Sequence, residues 1–222
     1  MALRVLGILA SPRRLGNSDR LLREALKGAA SAGGGTEDLA LADCAIAPCA
    51  ECNACARTGV CRQHDGYAAV LDRILAADRL IFATPVFFMG VPAQAKLLID
   101  RCQCLWAAKF LLKKPLYAQG PRDRRALVIA VGGSRGVRMF ESIRLTMKYW
   151  LDALEVAYAA NLFVNQVDDA GDIQKHPEAL AAARELGRDL VADTGPPPRQ
   201  SRDVMISEAV AAPARRGTLH GE

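Results

Sequence analysis

Short apolar runs alternate with amphipathic stretches along most of this chain, and that alternation restricts the fold more than any single motif does. Residues 3–9 are continuous, apolar and closed by Ala10-Ser11-Pro12, as expected of a buried parallel strand. Leu21, Leu22, Ala25, Leu26 and Ala29 then recur on one helical face, and the pattern ends in Gly33-Gly34-Gly35. Residues 39–41 supply a short second strand. Val70, Leu71, Ile74 and Leu75 form a helical stripe opposite Asp72, Arg73, Asp78 and Arg79. Residues 80–83 are the next strand, stopped by Thr84-Pro85, and Pro92 opens a helix that runs to about Cys104. Residues 126–131 form a buried strand ended by Gly132-Gly133. Phe140, Ile143, Met147, Trp150 and Leu154 follow at helical spacing, then a strand over 156–164 and a helix over 179–191.

Each strand–helix–strand crossover must be right-handed and must cover one face of a sheet. The expected fold is therefore α/β: a doubly wound, five-stranded parallel sheet in the order 2-1-3-4-5, with helices on both faces. A chain of 222 residues suits one core, assigned to residues 1–194 with a cysteine-rich loop at 44–62. After Gly195-Pro196-Pro197-Pro198 the apolar pattern stops, and 195–222 reads as a mobile tail. The net charge of +5 is too small and too scattered for a nucleic-acid groove. No apolar run approaches the ~20 residues of a membrane span, and the amino terminus runs straight into the first strand without a signal peptide. These features predict a cytoplasmic protein with no nucleic-acid or membrane partner. In a reducing compartment its seven cysteines are core fillers, ligands or redox groups rather than a disulfide framework.

Ligands of doubly wound sheets bind beyond the carboxyl ends of the strands, and three strand ends here carry unusual loops. The first, Ser11-Pro12-Arg13-Arg14-Leu15-Gly16-Asn17-Ser18, offers hydroxyls, a guanidinium and an N-cap in Asn17 or Ser18, a set suited to a phosphate dianion. It is neither a Walker loop nor a Gly-x-Gly-x-x-Gly dinucleotide turn. The second, Thr84-Pro85-Val86-Phe87-Phe88-Met89-Gly90-Val91-Pro92, places two adjacent aromatics in a loop, where something flat is needed for them to pack on. The third, Val131-Gly132-Gly133-Ser134-Arg135-Gly136, lets backbone N–H groups approach a ligand edge. Each loop alone has an ordinary structural role as cap, staple or turn. Together they match the phosphate, the tricyclic ring and the pyrimidine edge of FMN.

These three motifs resemble those of the NADPH-dependent FMN reductase and iron–sulfur flavoprotein families of the flavodoxin superfamily, and the likeness runs from about residue 3 to 193. The resemblance implies a flavodoxin-like fold in which Ser11, Arg13, Asn17 and Ser18 hold the FMN phosphate. By the same resemblance, Pro85, Val86, Phe87 and Phe88 wrap the isoalloxazine, and Gly132, Gly133 and Ser134 meet its other edge. It also implies a homodimer or homotetramer.

Cys49, Cys52, Cys55 and Cys61 have the spacing C-x2-C-x2-C-x5-C. Three thiols two residues apart wrap a compact cluster, and a fourth reaches round after a glycine-containing turn. Structural zinc prefers two separated pairs and is the weaker metal reading. The spacing resembles that of iron–sulfur flavoproteins, which implies a [4Fe–4S] cluster near the FMN; the same loop without a cluster would hold structural or redox-labile thiols. Cys44, Cys102 and Cys104 lie outside the run and suit the core. His64, His176 and His220 read as surface residues.

The expected function is flavin-dependent oxidoreduction or electron transfer. No side chain needs to act as a catalytic acid or base, because the flavin carries the chemistry. With a cluster, electrons would pass between cluster, FMN and a ferredoxin-type carrier. Without one, NAD(P)H would reduce the flavin and a quinone, a second flavin or another small molecule would reoxidise it. A flavodoxin-type electron carrier and a flavin-free binding module are the readings from other classes.

Overall fold

A computed structural model describes residues 2–207. In chain order its main elements are β1 (Arg4–Leu9), α1 (Asn17–Ser31), β2 (Gly35–Ala40), the short α2 (Cys55–Thr58), α3 (Tyr67–Ala76), β3 (Arg79–Pro85), α4 (Ala93–Arg101), the short α5 (Gln103–Trp106), β4 (Arg125–Val131), α6 (Glu141–Ala153), β5 (Ala157–Val164), α7 (Pro177–Ala192) and β6 (Arg202–Ile206). One sheet in the order β2-β1-β3-β4-β5-β6 joins the strands, and every pairing is parallel.

Alternate residues of each central strand feed two cores. Leu6, Ile8, Leu80, Phe82, Ala126 and Val128 face α3, α4 and α6. Val5, Leu9, Ile81, Ala83, Leu127 and Ile129 face α1 and α7. This explains the unbroken apolar runs, since a strand covered on both sides has no polar face. Helices α1 and α7 meet backbone to backbone: a Cβ on Gly28 would lie 1.9 Å from the Arg184 carbonyl oxygen, and one on Gly187 would lie 2.0 Å from that of Ala25.

Two strands differ from the sequence expectation. β2 begins four residues early, at Gly35, because it is an edge strand whose first four residues are exposed and therefore polar. The sheet has six strands rather than five. The sixth, β6, lies inside the segment expected as a tail and pairs Arg202–Ile206 with Ala160–Val164. Only Val204 and Ile206 pack on the core, so its apolar signal is two residues long. Backbone bonds and polar anchors hold it instead: Asn161 Nδ2 donates to Asp203 Oδ1 at 2.7 Å and to Ser201 Oγ at 3.2 Å. The rest of the expected tail, from 208 onward and with it His220, lies outside the described residues. Among the described residues, no helix is long and apolar enough to cross a membrane.

The amino-terminal edge of the sheet is closed by three buried arginines. Arg79 and Arg125 share Asp123, Arg125 also reaches Asp193 at 2.8 Å, and Arg124 donates to the carbonyls of Ile74, Ala77 and Leu154. The opposite edge, where the strands end at their carboxyl termini, carries the loops.

Candidate functional site

Parallel pairing brings the ends of β1, β3, β4 and β5 to one edge, and the loops that leave them surround one hollow. Its lining includes Ser11, Arg13, Gly16, Asn17 and Ser18 from the first loop, Pro85, Val86 and Phe87 from the second, and Gly132 and Gly133 from the third. A fourth loop, after β5, adds Val167, Asp168 and Ala170, which no motif in the sequence marks. Of the expected flavin residues, Phe88 and Ser134 are not part of the lining.

The first loop folds on itself: Ser11 Oγ accepts the Arg13 N–H at 3.1 Å and donates to the Arg13 carbonyl. The N-cap of α1 is Gly16, not Asn17 or Ser18, and it makes no side-chain capping bond. The first-turn N–H groups of α1 are thus left for an anion beside Arg13. Asp19, in that turn, reaches back to accept the Leu15 N–H at 2.7 Å and pairs with Arg23. Asn17 is engaged elsewhere. Its Nδ2 donates to the Asp169 carbonyl at 2.9 Å, and its Oδ1 accepts the N–H groups of Gly171 and Ile173. Its carboxamide therefore ties the first loop to the fourth.

In the second loop, Phe87 and Gly90 exchange backbone hydrogen bonds at 2.9 Å, closing a turn whose tip is Phe88 and Met89. Both tip residues have positive φ, at 46° and 61°, and the Phe88 side chain is fully exposed. In the third loop, a Cβ on Gly133 would come within 2.8 Å of Asp168 Cγ, so only glycine lets the third and fourth loops touch here. Asn165 closes the arrangement by donating to the Arg135 carbonyl at 2.7 Å. The hollow thus offers a cation and helix N–H groups at one end and apolar Val86 and Phe87 beside glycine backbone at the other. That donor set fits FMN.

A second hollow lies under the loop that follows β2. Cys49, Cys52, Cys55 and Cys61 all line it, together with Arg101 and Cys104, and it encloses about 470 Å³. Burial raises the Cys55 thiol above its ordinary range, and the nearby thiols of Cys49, Cys61 and Cys52 raise it further. Four soft sulfur donors on one hollow fit a cluster in type and number. Among the described residues, no three His, Cys, Asp or Glu side chains close into a metal-holding arrangement. Arg101 is buried, donates Nε–H to Cys61 Sγ at 3.3 Å, and holds Asp65 with both arms at 2.7 and 3.1 Å. That pairing holds the Asp65 carboxyl down at about 2.

Cys102 and Cys104 are buried as expected, and they are also bonded. Trp150 Nε1 donates to Cys102 Sγ at 3.2 Å, and the Tyr67 hydroxyl lies 3.3 Å from Cys104 Sγ. Burial pushes the Cys102 thiol up to about 12. Cys44 is half-buried, with its thiol toward the Ala40 carbonyl. His64 is exposed. His176 is not a surface residue: it is buried at the start of α7, with Nδ1 3.2 Å from Glu178 Oε1.

The cysteine loop leaves the carboxyl end of β2, the strand next to β1 in the sheet. An ion pair between Arg14 and Asp43 joins the first loop to the start of the cysteine loop. Helix α4 begins after the second loop and ends at Arg101, nine residues or about 13 Å later.

Residues 3–167 match the NADPH-dependent FMN reductase family, a span that contains the first three flavin-side loops and the cysteine loop. Over 194 residues the chain is 32% identical to an iron–sulfur flavoprotein of Methanocaldococcus jannaschii, covering 84% of this chain and 94% of that one. It is 32% identical over 133 residues to an iron–sulfur flavoprotein of Methanosarcina thermophila, covering 60% of this chain and 65% of that one. In fold it is similar to an NAD(P)H:quinone oxidoreductase from Methanothermobacter marburgensis, with a TM-score of 0.69 at 21% identity over 88% of this chain and 100% of that one. The matched span, the flavodoxin-like sheet and the loops along its carboxyl edge all agree: the chain belongs to the NADPH-dependent FMN reductase family and is a flavin-dependent oxidoreductase.

Proposed function

We propose that this oxidoreductase holds FMN in the four-loop hollow and a [4Fe–4S] cluster on Cys49, Cys52, Cys55 and Cys61, and passes electrons between them. One observation carries the proposal: the four thiols of a C-x2-C-x2-C-x5-C run line a single hollow, one short helix away from the flavin-side loops. The similarity to iron–sulfur flavoproteins over nearly the whole chain supports it. FMN, when bound, supplies both hydride and single-electron chemistry, and a cluster supplies single-electron transfer.

The chain's own residues bind and orient. Arg13 and the first-turn N–H groups of α1 neutralise a phosphate. Val86 and Phe87 give the ring an apolar wall and keep water from it. The backbone N–H of Gly133 donates to its polar edge, while that of Gly132 is held by the Val164 carbonyl at 2.9 Å and fixes the loop; Asp168 bounds that side. No side chain is asked to move a proton, so placement does the work. A ferredoxin-type carrier suits the one-electron side, in a cytoplasmic setting that keeps the thiols reduced. A second copy of the chain would cover Leu145 and Tyr149, which are exposed on α6.

A second reading is a cluster-free reductase that takes hydride from NAD(P)H and passes it to a quinone or another small acceptor. It is favoured by the match of residues 3–167 to the NADPH-dependent FMN reductase family. Iron, acid-labile sulfide and flavin are to be measured on full-length protein purified without oxygen. About four irons and four sulfides per chain with one FMN are expected. FMN without iron would replace the first reading with the second, and absence of flavin after reconstitution would refute both.

A further inference from the structure

We propose that Arg101 is the positioning residue of the cysteine loop: it closes the loop's two feet and sets the reduction potential of the cluster through its bond to Cys61. The inference rests on the cluster reading above.

Arg101 is the last residue of α4 and is 1% exposed. Its guanidinium is spent on one stretch of chain. Nη1 donates to the Ala47 carbonyl at 2.9 Å, to Asp65 Oδ2 at 2.7 Å and to Gln63 Oε1 at 3.3 Å. Nη2 donates to Asp65 Oδ1 at 3.1 Å, and Nε to Cys61 Sγ at 3.3 Å. The Tyr67 ring lies against its face, 4.7 Å from centroid to Cζ. Asp65 in turn accepts the N–H of Ala47 at 2.9 Å and that of Tyr67 at 3.0 Å. Ala47, two residues before the first cysteine of the run, is thus held by both its N–H and its carbonyl. The last cysteine, Cys61, is held by its sulfur.

One planar cation therefore buckles residue 47 to residues 61–65, and the four thiols hang on the arc between. Closing that arc costs chain entropy, and here the folded scaffold meets the cost before any metal arrives. A lysine could not do the same, because five donors in a fixed fork are what reach a carbonyl, an amide, a carboxylate and a sulfur at once.

The second consequence is electrostatic. Hydrogen bonds to ligating sulfurs and nearby positive charge stabilise the more negative, reduced form of a cluster and raise its potential. Arg101 brings both to Cys61 from a desolvated position, where a charge acts more strongly than in water.

The test compares wild type, Arg101→Lys and Arg101→Gln as full-length proteins purified without oxygen, with FMN content as the measure of folding. Arg101→Gln is expected to keep its FMN, bind iron about tenfold more weakly, and show a cluster potential lower by about 59 mV, a tenfold change for a one-electron couple. Arg101→Lys retains the charge for Asp65 but neither the fork nor the Nε bond, so it should bind iron more weakly than wild type but better than Arg101→Gln, and keep a lowered potential. If Arg101→Gln does not fold, Arg101→Lys decides the matter alone. Wild-type iron content and an unchanged potential in the folded variants would overturn the inference. Wild-type protein without iron would instead refute the cluster reading and with it the tuning role. Hydrogen exchange of amides 47–65 then decides the buckle: faster exchange in the variants supports it, and unchanged exchange overturns it.

Discussion

Asn17 holds Gly171 across the sheet edge: its Oδ1 accepts the Gly171 N–H at 3.0 Å, while its Nδ2 donates to the Asp169 carbonyl. One carboxamide at the start of α1 therefore fixes the loop after β5, which bounds the flavin hollow through Val167, Asp168 and Ala170. Asn17→Ala leaves the Gly171 and Ile173 N–H groups unpaired and should cost about 2 kcal/mol of stability. Asn17→Asp keeps both acceptor bonds and suits the first turn of a helix, but it puts a negative charge beside the phosphate cradle. The expected order of thermal midpoints without flavin is wild type, then Asn17→Asp, then Asn17→Ala. For FMN affinity the two variants should exchange places, with Asn17→Asp weaker than wild type by about tenfold, roughly 1.4 kcal/mol. Melting curves and quenching of FMN fluorescence read the two orders separately. The same order in both would mean that Asn17 affects flavin only through stability.

Phe88 stands outside the hollow although its neighbour Phe87 lines it. With Met89 it forms the tip of a turn in which both central residues have positive φ, a conformation that glycine or asparagine adopts with less strain. Phe88→Gly should therefore raise stability by about 1 kcal/mol, the left-handed strain relieved less the entropy of glycine. It should change FMN affinity by less than about twofold, which is roughly 0.4 kcal/mol. Phe87→Ala should weaken FMN clearly, because it removes apolar wall. A large loss of affinity in Phe88→Gly would show that Phe88 reaches a flavin, for instance one held by a second copy of the chain.

The sheet was legible because its central strands are covered on both faces and so read as unbroken apolar runs. Three of the four flavin-side loops were legible because Pro or Gly punctuates each strand end. The fourth loop carries no such mark. Asn165-Gln166-Val167-Asp168-Asp169 reads as an ordinary polar turn, and its place at the site follows from parallel pairing and from a bond to Asn17, more than 150 residues earlier. β6 escaped notice because an edge strand needs only backbone partners and two apolar contacts. Arg101 looks, in sequence, like a charge at a helix carboxyl end. Its role appears only when Ala47, Cys61 and Asp65 close around it.

The crossing of α1 and α7 gives a prediction free of the site. Gly28 and Gly187 each face a backbone carbonyl of the other helix, so an added methyl group meets main chain, which cannot swing aside. Alanine would otherwise favour the helix by up to about 1 kcal/mol. Here Gly28→Ala should give a net loss of about 2 kcal/mol, because the helices must separate along their contact. Urea unfolding should show a lower midpoint at unchanged slope. A stabilised Gly28→Ala would mean that the helices slide apart without loss.

The Asp65–Arg101 pair sets the acid limit of the cysteine loop. The two guanidinium bonds are the largest influence on Asp65 and hold its carboxyl at about 2, against an ordinary value of 3.8. A carboxyl whose pKa is lower in the folded state adds stability that is fully present above the unfolded value and is lost as pH falls through the folded one. The pair should thus contribute fully above about pH 4 and fade between about 4 and 2. Asp65→Asn removes the titrating group and leaves the Arg101 cation buried without its carboxylate, so it should be less stable at neutral pH. The gap between wild type and Asp65→Asn should then narrow over that same acid window. Hydrogen exchange of amides 47–65, measured from pH 7 down to 2.5 and corrected for intrinsic rates, reads the loop directly. Protection that falls with acid in wild type but stays flat in Asp65→Asn would assign the acid limb to this carboxyl. Parallel loss in both proteins would place it on another of the chain's acids.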